Sequence, residues 1–125
     1  MARPNIVGLG TIVGFTTAKS TANASELVFL DHPAASLNKV IKVNSIIVTN
    51  TTSAPVNATI SLRSASGGGG TAFKLTNSTP VAAYSSLVVI DKASALYLEE
   101  NRCLTITSSS ASGLLDVTSS YEEIT

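Results

Sequence analysis

The stretch from Lys39 to Leu62 constrains the fold more than any other part of the sequence. Its first half, residues 39–50, is rich in β-branched side chains, which favour a pleated strand surface. Thr51 to Pro55 is a cluster of turn-forming residues. The second half alternates apolar with polar residues, and its apolar positions are Val56, Ala58, Ile60 and Leu62. Two β-patterned runs around a short polar turn predict an antiparallel hairpin.

Similar short runs recur along the chain, separated by turn signals. They are residues 26–31, 72–76, 87–91, 103–107 and 114–124. Residues 77–86 are expected to form a turn around Pro80, and the Gly-rich run from Ala65 to Gly70 a flexible tip loop. No window of about 11 residues has helical periodicity. The pattern predicts an all-β fold, an antiparallel β-sandwich of jelly-roll or immunoglobulin-like type, with an N-terminal strand or arm.

The β-patterned runs also predict which side chains form the core. The predicted core residues are Val43, Ile47, Ile60, Leu62, Val89, Leu98, Leu104, Ile106 and Val117. In the last run, period-two alternation predicts that Leu115, Val117, Ser119 and Tyr121 share one face.

The N-terminal segment combines apolar residues with glycines. Ile6 to Phe15 is apolar but contains Gly8, Gly10 and Gly14, which weaken a regular strand. Two interpretations remain open: residues 1–17 form an arm that lies on a neighbouring molecule, or they form the first strand of the same sandwich. Residues 18–125 are predicted to form a single β-sandwich domain. The segment is too loosely apolar for a signal peptide, so we expect a mature, unprocessed chain.

Composition excludes several classes of partner. Among 125 residues, eight Lys and Arg balance eight Asp and Glu, so no basic stripe exists for nucleic acid. No window reaches the ~18 apolar residues of a membrane span. Charged residues make up only 13% of the chain, and its surface is expected to be rich in hydroxyl groups. Contact with a neighbouring protein would therefore desolvate few ions, as suits a subunit of an assembly.

The sequence contains no recognisable catalytic or metal-binding motif. His32 is the single histidine and is expected to be exposed in a loop, and Cys103 is the single cysteine and is expected to be a buried small hydrophobe at a strand start. A zinc site usually needs three or four ligands, and a lone Cys is a poor nucleophile without a partner base. Gly67 to Gly70 lacks the Lys and helix of a phosphate-binding loop. We predict no catalytic residues, no metal, no cofactor and no enzymatic activity.

Four segments resemble a family of small virion proteins from tailed phages, especially phages of marine cyanobacteria. The matching segments are residues 40–50, 85–92, 96–102 and 120–124, which include the sequences VIKVNSIIVTN and LYLEENR. The resemblance implies a non-enzymatic capsid decoration (cement) protein, or a neck or tail component, made in the host cytoplasm and located in the virion. Asn101 occupies the position of a family glycine, and Asn tolerates the left-handed conformation that this turn needs.

The resemblance also implies partners. These are further copies of the chain in a homo-oligomer and other virion proteins, either the major capsid protein or neck and tail proteins, with no nucleic acid, membrane or small-molecule substrate. A carbohydrate- or receptor-binding module is the alternative. Its weakness is the shortage of aromatic residues for stacking on sugar, since the chain has no Trp and its tyrosines are Tyr84, Tyr97 and Tyr121.

Overall fold

The computed structural model describes residues 10–33 and 39–125, which fold into strands joined by turns and loops. The strands are β1 (Ile12–Ser20), β2 (Leu27–His32), β3 (Val40–Asn50), β4 (Val56–Arg63), β5 (Ala72–Val81), β6 (Ser86–Ile90), β7 (Leu96–Leu98), β8 (Arg102–Ser108) and β9 (Leu115–Ile124). Within these ranges, the connections also contain two short 3₁₀ turns, Ser66–Gly68 and Lys92–Ser94. The predicted all-β class is confirmed.

The strands form two antiparallel sheets that pack face to face. The first sheet has the order β1-β9-β3-β6, with β7 also paired to β3, and the second has the order β2-β8-β4-β5. The chain passes from one sheet to the other at six of the eight connections between these strands, and within the described residues β4 and β5 are the consecutive strands that pair with each other. This order is that of a jelly roll, whereas an immunoglobulin-like sandwich would pair its first two strands within one sheet.

The predicted hairpin between β3 and β4 is wrong. The two strands lie in different sheets, and residues 51–55 form an arch between them. Asn50, fully buried at the end of β3, holds the arch. Its amide nitrogen donates to the carbonyls of Ala54 at 2.8 Å and Val81 at 3.0 Å, and its oxygen accepts from the Thr52 amide and hydroxyl. A turn-forming cluster between two alternating runs is compatible with either connection, so the pattern could not distinguish them.

Most of the predicted core is confirmed. Buried as predicted are Val43, Ile60, Leu98, Leu104, Ile106 and Val117. Leu62 and Val89 are partly buried and pack against this core. Ile47 is also only partly buried, because a β-bulge between Val43 and Ser45 shifts the register of β3. After the bulge, Ile46 and Val48 face the core instead of Ile47.

The last strand alternates as predicted, but the fifth differs. In β9, Leu115, Val117 and Ser119 are buried, and Tyr121 packs against the core. β5 extends to Val81, so Pro80 lies in the strand and the turn of the predicted range 77–86 comes later, where the Ser85 amide donates to the Ala82 carbonyl at 3.2 Å. Proline is tolerated there because β5 is the edge strand of its sheet, and one side of its backbone pairs with no strand of residues 10–33 and 39–125.

The N-terminal segment enters the first sheet at residue 12. β1 pairs with β9 along its whole length, from Ile12 opposite Ile124 to Ser20 opposite Asp116. The pairing extends further, since the amide of Thr11 donates to the Thr125 carbonyl at 3.0 Å. The predicted boundary between residues 17 and 18 lies inside this strand, and residues 1–9 of the predicted arm lie outside the described residues.

Candidate assembly surface

β1 is an edge strand whose side chains are exposed on both faces. One side of its backbone pairs with β9, and no strand of the described residues pairs with the other side. Eight of its nine residues are exposed, and the ninth, Thr17, is half-buried. Ile12, Val13 and Phe15 are 64%, 44% and 42% exposed. An apolar, unpaired edge of this kind is a site at which sheets join.

Both faces of β1 are exposed because the second sheet barely reaches it. Phe15, Thr17 and Lys19 point to the same side as their cross-strand neighbours on β9, toward the second sheet. The contact there is with β2, where the Lys19 ammonium donates to the Val28 carbonyl at 3.4 Å. The strand therefore extends past the core and presents its inner face as well as its outer face.

An aromatic pair lies at the β1 surface, which is formed by the exposed side chains of Ile12, Val13 and Phe15. The ring of Phe15 stacks on that of Tyr121, with ring centroids 5.5 Å apart and planes 22° from parallel. Burial raises the pKa of the Tyr121 hydroxyl, and the nearby Glu123 carboxylate acts in the same direction, so the phenol stays neutral at physiological pH. Phe15 remains 42% exposed, which leaves much of its surface available for contact.

A second apolar edge lies on the opposite side of the sandwich. β5 is the edge of the second sheet and contacts β6, whereas β1 contacts β2. Phe73 and Leu75 are exposed near its start. The rest of β5 is protected against sheet joining by irregular pairing with β4 and by Pro80. Sequence reasoning placed Phe73 in a strand but missed its exposure, because periodicity does not show where the opposite sheet ends.

The Gly-rich segment is a packed cover and not the predicted flexible tip. It folds back onto the outer face of the second sheet, where the amide of Gly67 donates to the Asp31 carboxylate at 3.0 Å. The Asn101 side-chain oxygen accepts from the amide and the hydroxyl of Ser66, both at 3.1 Å. Left-handed φ angles at Gly67, Gly68 and Gly70 allow this path. Asn101 itself has a φ of 61°, as expected for that turn.

Cys103 lies beneath this cover. Its sulfur accepts from the Gly68 amide at 3.3 Å and donates to the Ala65 carbonyl at 3.4 Å, and the residue is fully buried. Burial raises the pKa of the Cys103 thiol, which makes it a weak nucleophile. The prediction of a buried small hydrophobe at a strand start is confirmed, since Cys103 is the second residue of β8.

A carboxylate–guanidinium pair joins the start of β2 to β4 beside this cover. Arg63 donates to both oxygens of Glu26, at 2.7 Å from Nε and 2.6 Å from Nη2. The hydroxyl of buried Thr105 also donates to Glu26. The hydrogen bond from Arg63 lowers the pKa of Glu26, against the opposing effect of burial and with a further contribution from Thr105. These contacts join the start of β2 to β4 and β8 on the outer face of the second sheet.

His32 is not the exposed loop residue that we predicted. It ends β2 and is fully buried, with Nε2 2.9 Å from the Lys39 carbonyl oxygen, while Nδ1 has no partner in the described part of the chain. A histidine before a proline suggested a loop, but strand pairing extends one residue further, to His32 opposite Arg102. No group of three His, Cys, Asp or Glu residues within residues 10–33 and 39–125 is arranged to hold a metal ion.

Glutamates that are adjacent in the sequence do not form an acid–base pair. Glu122 and Glu123 point to opposite faces of β9, where Glu122 accepts from the Asn44 amide at 2.8 Å and Glu123 contacts the Lys39 ammonium at 3.3 Å.

Across the described ranges, no helix is long and apolar enough to cross a membrane.

Comparison with known proteins supports the fold. No family model and no curated protein matches the sequence. A solved structure described as disulfide-linked pili of Bacillus endospore appendages is 22% identical, with a TM-score of 0.55, over 92% of this chain and 88% of that chain. The T13 IBDV viral particle gives 10% identity and a TM-score of 0.51 over 93% of this chain, which spans 31% of the viral chain. At these identities the likeness establishes the antiparallel β-sandwich alone.

Proposed function

We propose that this chain is a non-enzymatic structural subunit of a tailed-phage virion, a capsid decoration protein on the outside of the particle. The observation that carries the proposal is β1, an apolar edge strand exposed on both faces. The segments that resemble phage virion proteins suggest which particle the chain belongs to, and the edge strand β1 suggests how the chain attaches to it. The chain is made in the host cytoplasm and resides in the virion.

Attachment uses the free backbone edge of β1 together with its apolar side chains. An added strand from a partner gains main-chain hydrogen bonds, and pockets for alternate side chains provide selectivity. Ile12 projects from one face of β1, and Val13 and Phe15 project from the other. A partner strand at this edge could therefore contact apolar groups on both sides. The partners are a second copy of the chain and the major capsid protein.

Two proteins of similar fold come from assemblies, and this is consistent with the proposal. One comes from appendages that are pili, and the other from a viral particle. A β-sandwich with an apolar edge strand is suited to a subunit of such an assembly, because a free edge can pair with a strand of a neighbouring subunit. A neck, tail or fibre component of the virion is the second candidate, because the same edge would serve attachment there.

Mass spectrometry of purified virions with copy-number determination tests the proposal directly. A decoration protein is expected at a copy number proportional to that of the major capsid protein, and a neck or tail component at a few copies per particle. Absence of the chain from purified particles would overturn the virion assignment. A density map of the whole particle then assigns the chain to the capsid surface or the tail.

Deleting residues 2–15 tests the role of β1. No apolar residue of β1 belongs to the buried core, so we expect the shortened chain to remain folded by circular dichroism. It should lose its oligomeric state in sedimentation velocity and its binding to particles that lack the protein. A folded deletion variant that still assembles and binds like the parent would contradict attachment through this edge.

A further inference from the structure

Within the described residues each sheet ends in two edges, and three of the four edges are protected against an added strand. β2 is bulged, carries Asp31 and lies against the Gly-rich segment. β5 pairs irregularly with β4 and contains Lys74 and Pro80. On the far side of the first sheet, β6 and β7 are five and three residues long, and the 3₁₀ turn Lys92–Ser94 separates them. Bulges, charges, proline and short length are the usual protections of an edge.

β1 has none of these protections along most of its length. It pairs with β9 from Ile12 to Ser20 without a bulge, and it contains no proline. Its one charged residue, Lys19, lies near the end of the strand and donates to the Val28 carbonyl of its own chain. Among the edges of residues 10–33 and 39–125, β1 is therefore the one that can pair over its full length with a strand as long as itself.

Backbone hydrogen bonds show which residues of β1 face its unpaired side. The Thr11 amide donates to the Thr125 carbonyl at 3.0 Å, and the Thr125 amide donates to the Thr11 carbonyl at 2.9 Å. Ten residues later the Thr21 amide donates to the Leu115 carbonyl at 2.9 Å, in the same phase. Backbone direction alternates along a strand, so the odd-numbered residues between these two points face β9. The even-numbered residues direct their N–H and C=O groups to the unpaired side, and they are Ile12, Gly14, Thr16 and Ala18.

We propose that the unpaired edge of β1 binds the β1 edge of a second copy of the chain, about a two-fold axis that passes through the Phe15 pair perpendicular to the first sheet. The proposal rests on the attachment through β1 proposed above and gives it a partner, a symmetry and a register. Antiparallel pairing sets Ile12 opposite Ala18 and Gly14 opposite Thr16, with about eight main-chain hydrogen bonds between the copies. The two first sheets become one continuous sheet. Because a two-fold interface uses the same surface on both subunits, the assembly closes at two copies.

Side chains select the register in which Phe15 lies opposite Phe15 of the second copy. The even-numbered residues make the hydrogen bonds, so Phe15 falls in a non-hydrogen-bonded pair, where opposed side chains are closest. Its ring already stacks on Tyr121, and the second Phe15 extends this row of rings across the interface. Aromatic pairs across strands stabilise a sheet, and this pair covers the exposed part of each Phe15 ring. Lys19 then lies opposite Thr11, whereas an axis at Thr16 would set it opposite an apolar residue.

A proline variant tests whether the edge of β1 joins the copies. In sedimentation equilibrium, the parent should have twice the 12.8 kDa mass of one chain. Thr16→Pro removes an N–H that faces the unpaired side and leaves the hydrogen bonds to β9 intact, so its circular dichroism should match the parent. Its dimer dissociation constant should rise about tenfold or more. Thr16→Ala keeps the N–H and is the matched control, which should remain dimeric.

Cysteine cross-linking tests the register. Opposed residues of a non-hydrogen-bonded pair have Cα atoms about 4.5 Å apart, within disulfide range, so Phe15→Cys should link to its own copy when diamide is the oxidant. Ile12→Cys is the matched control, since Ile12 is 64% exposed and Phe15 42%, so exposure alone would favour the control. Opposite Ala18, it should cross-link at least about tenfold more slowly. The native Cys103 is buried and is common to both variants.

Three results would overturn the proposal. They are a parent that stays monomeric up to about 1 mM, a folded Thr16→Pro that associates as tightly as Thr16→Ala, and cross-linking at Ile12 as fast as at Phe15. If Thr16→Pro unfolds, the cross-linking comparison decides. A chain found in virions but monomeric in solution overturns the two-fold pairing alone, whereas a dimer absent from purified virions supports the pairing and overturns the virion assignment.

Discussion

Phe15 on β1 and Tyr121 on β9 stack across neighbouring strands, with ring centroids 5.5 Å apart. They lie directly opposite each other in the β1–β9 register. Tyr121 packs against the core, whereas Phe15 is 42% exposed. The pair therefore connects the interior of the sandwich to the β1 surface.

The first prediction separates attachment from stability at this pair. Phe15→Ala removes an aromatic contact worth about 0.5–1.5 kcal/mol beyond its buried area, so the chain should stay folded with a modest loss in urea denaturation. Its binding to particles or to further copies should fall much more strongly, as measured by co-sedimentation. Tyr84→Ala, at an exposed residue outside β1, is the control. Equal binding by Phe15→Ala and the control would remove Phe15 from the attachment surface.

A second prediction concerns the arch between the sheets. Asn50→Ala deletes hydrogen bonds to Ala54, Val81 and Thr52 inside the fold and should reduce the free energy of unfolding by about 2–4 kcal/mol. Asn57→Ala is the control, because the Asn57 side chain makes a long bond of 3.4 Å at the surface. Chemical denaturation compares the two. Similar losses for both variants would show that Asn50 does not hold the arch.

The Glu26–Arg63 pair predicts a dependence of stability on pH. The pKa of Glu26 is lowered from its ordinary value of 4.5 in the folded chain, mainly by the hydrogen bond from Arg63. A carboxyl whose folded pKa is depressed stabilises the fold above its unfolded pKa, and this contribution is lost as pH falls through the folded pKa. Parent stability should therefore decline below about pH 4.5 more steeply than that of Glu26→Gln. Denaturation series at pH 7 and pH 3 measure the difference, and parallel declines would contradict it.

The cover over Cys103 yields a prediction about thiol reactivity. A Cβ on Gly70 would lie 2.9 Å from the Ala65 nitrogen at a φ of +69°, so Gly70→Ala should loosen the cover. The rate of Cys103 alkylation by iodoacetamide should then rise. Gly69→Ala is the matched control, since its Cβ would meet Ala65 and Ser66 at ordinary distances of 3.4 and 3.5 Å. Equal alkylation rates in both variants would mean that the cover does not limit access to the thiol.

Much of the fold was predictable because strands leave a period-two signal. Alternation correctly placed Ile60 and Val117 in the core. It could not identify pairing partners, which is why the arch after Asn50 was taken for a hairpin turn. It also could not detect the bulge after Val43, since an inserted residue changes the facing of later side chains without changing their chemistry.

The candidate surfaces were only partly predictable. The mixture of apolar residues and glycines near Phe15 identified the N-terminal segment as unusual, but its position at a sheet edge depends on β9, about a hundred residues later in the chain. The exposure of Phe73 on the edge strand β5 was missed because alternation along a strand does not show where the opposite sheet ends. The packed Gly-rich cover was missed because a Gly-rich composition indicates a flexible backbone. It does not show the contacts, such as those with Asp31 and Asn101, that order the segment in the folded chain.

The order of the first sheet has a consequence for synthesis on the ribosome. β9 lies between β1 and β3, yet it follows both in the chain by many residues. Until β9 has emerged, β1 has no strand partner among the described residues, and its apolar side chains face water. A nascent chain therefore carries an unpaired apolar strand for most of its translation, a state prone to pairing with other molecules. Completion of β9 closes the sheet within one chain and leaves one edge of β1 free.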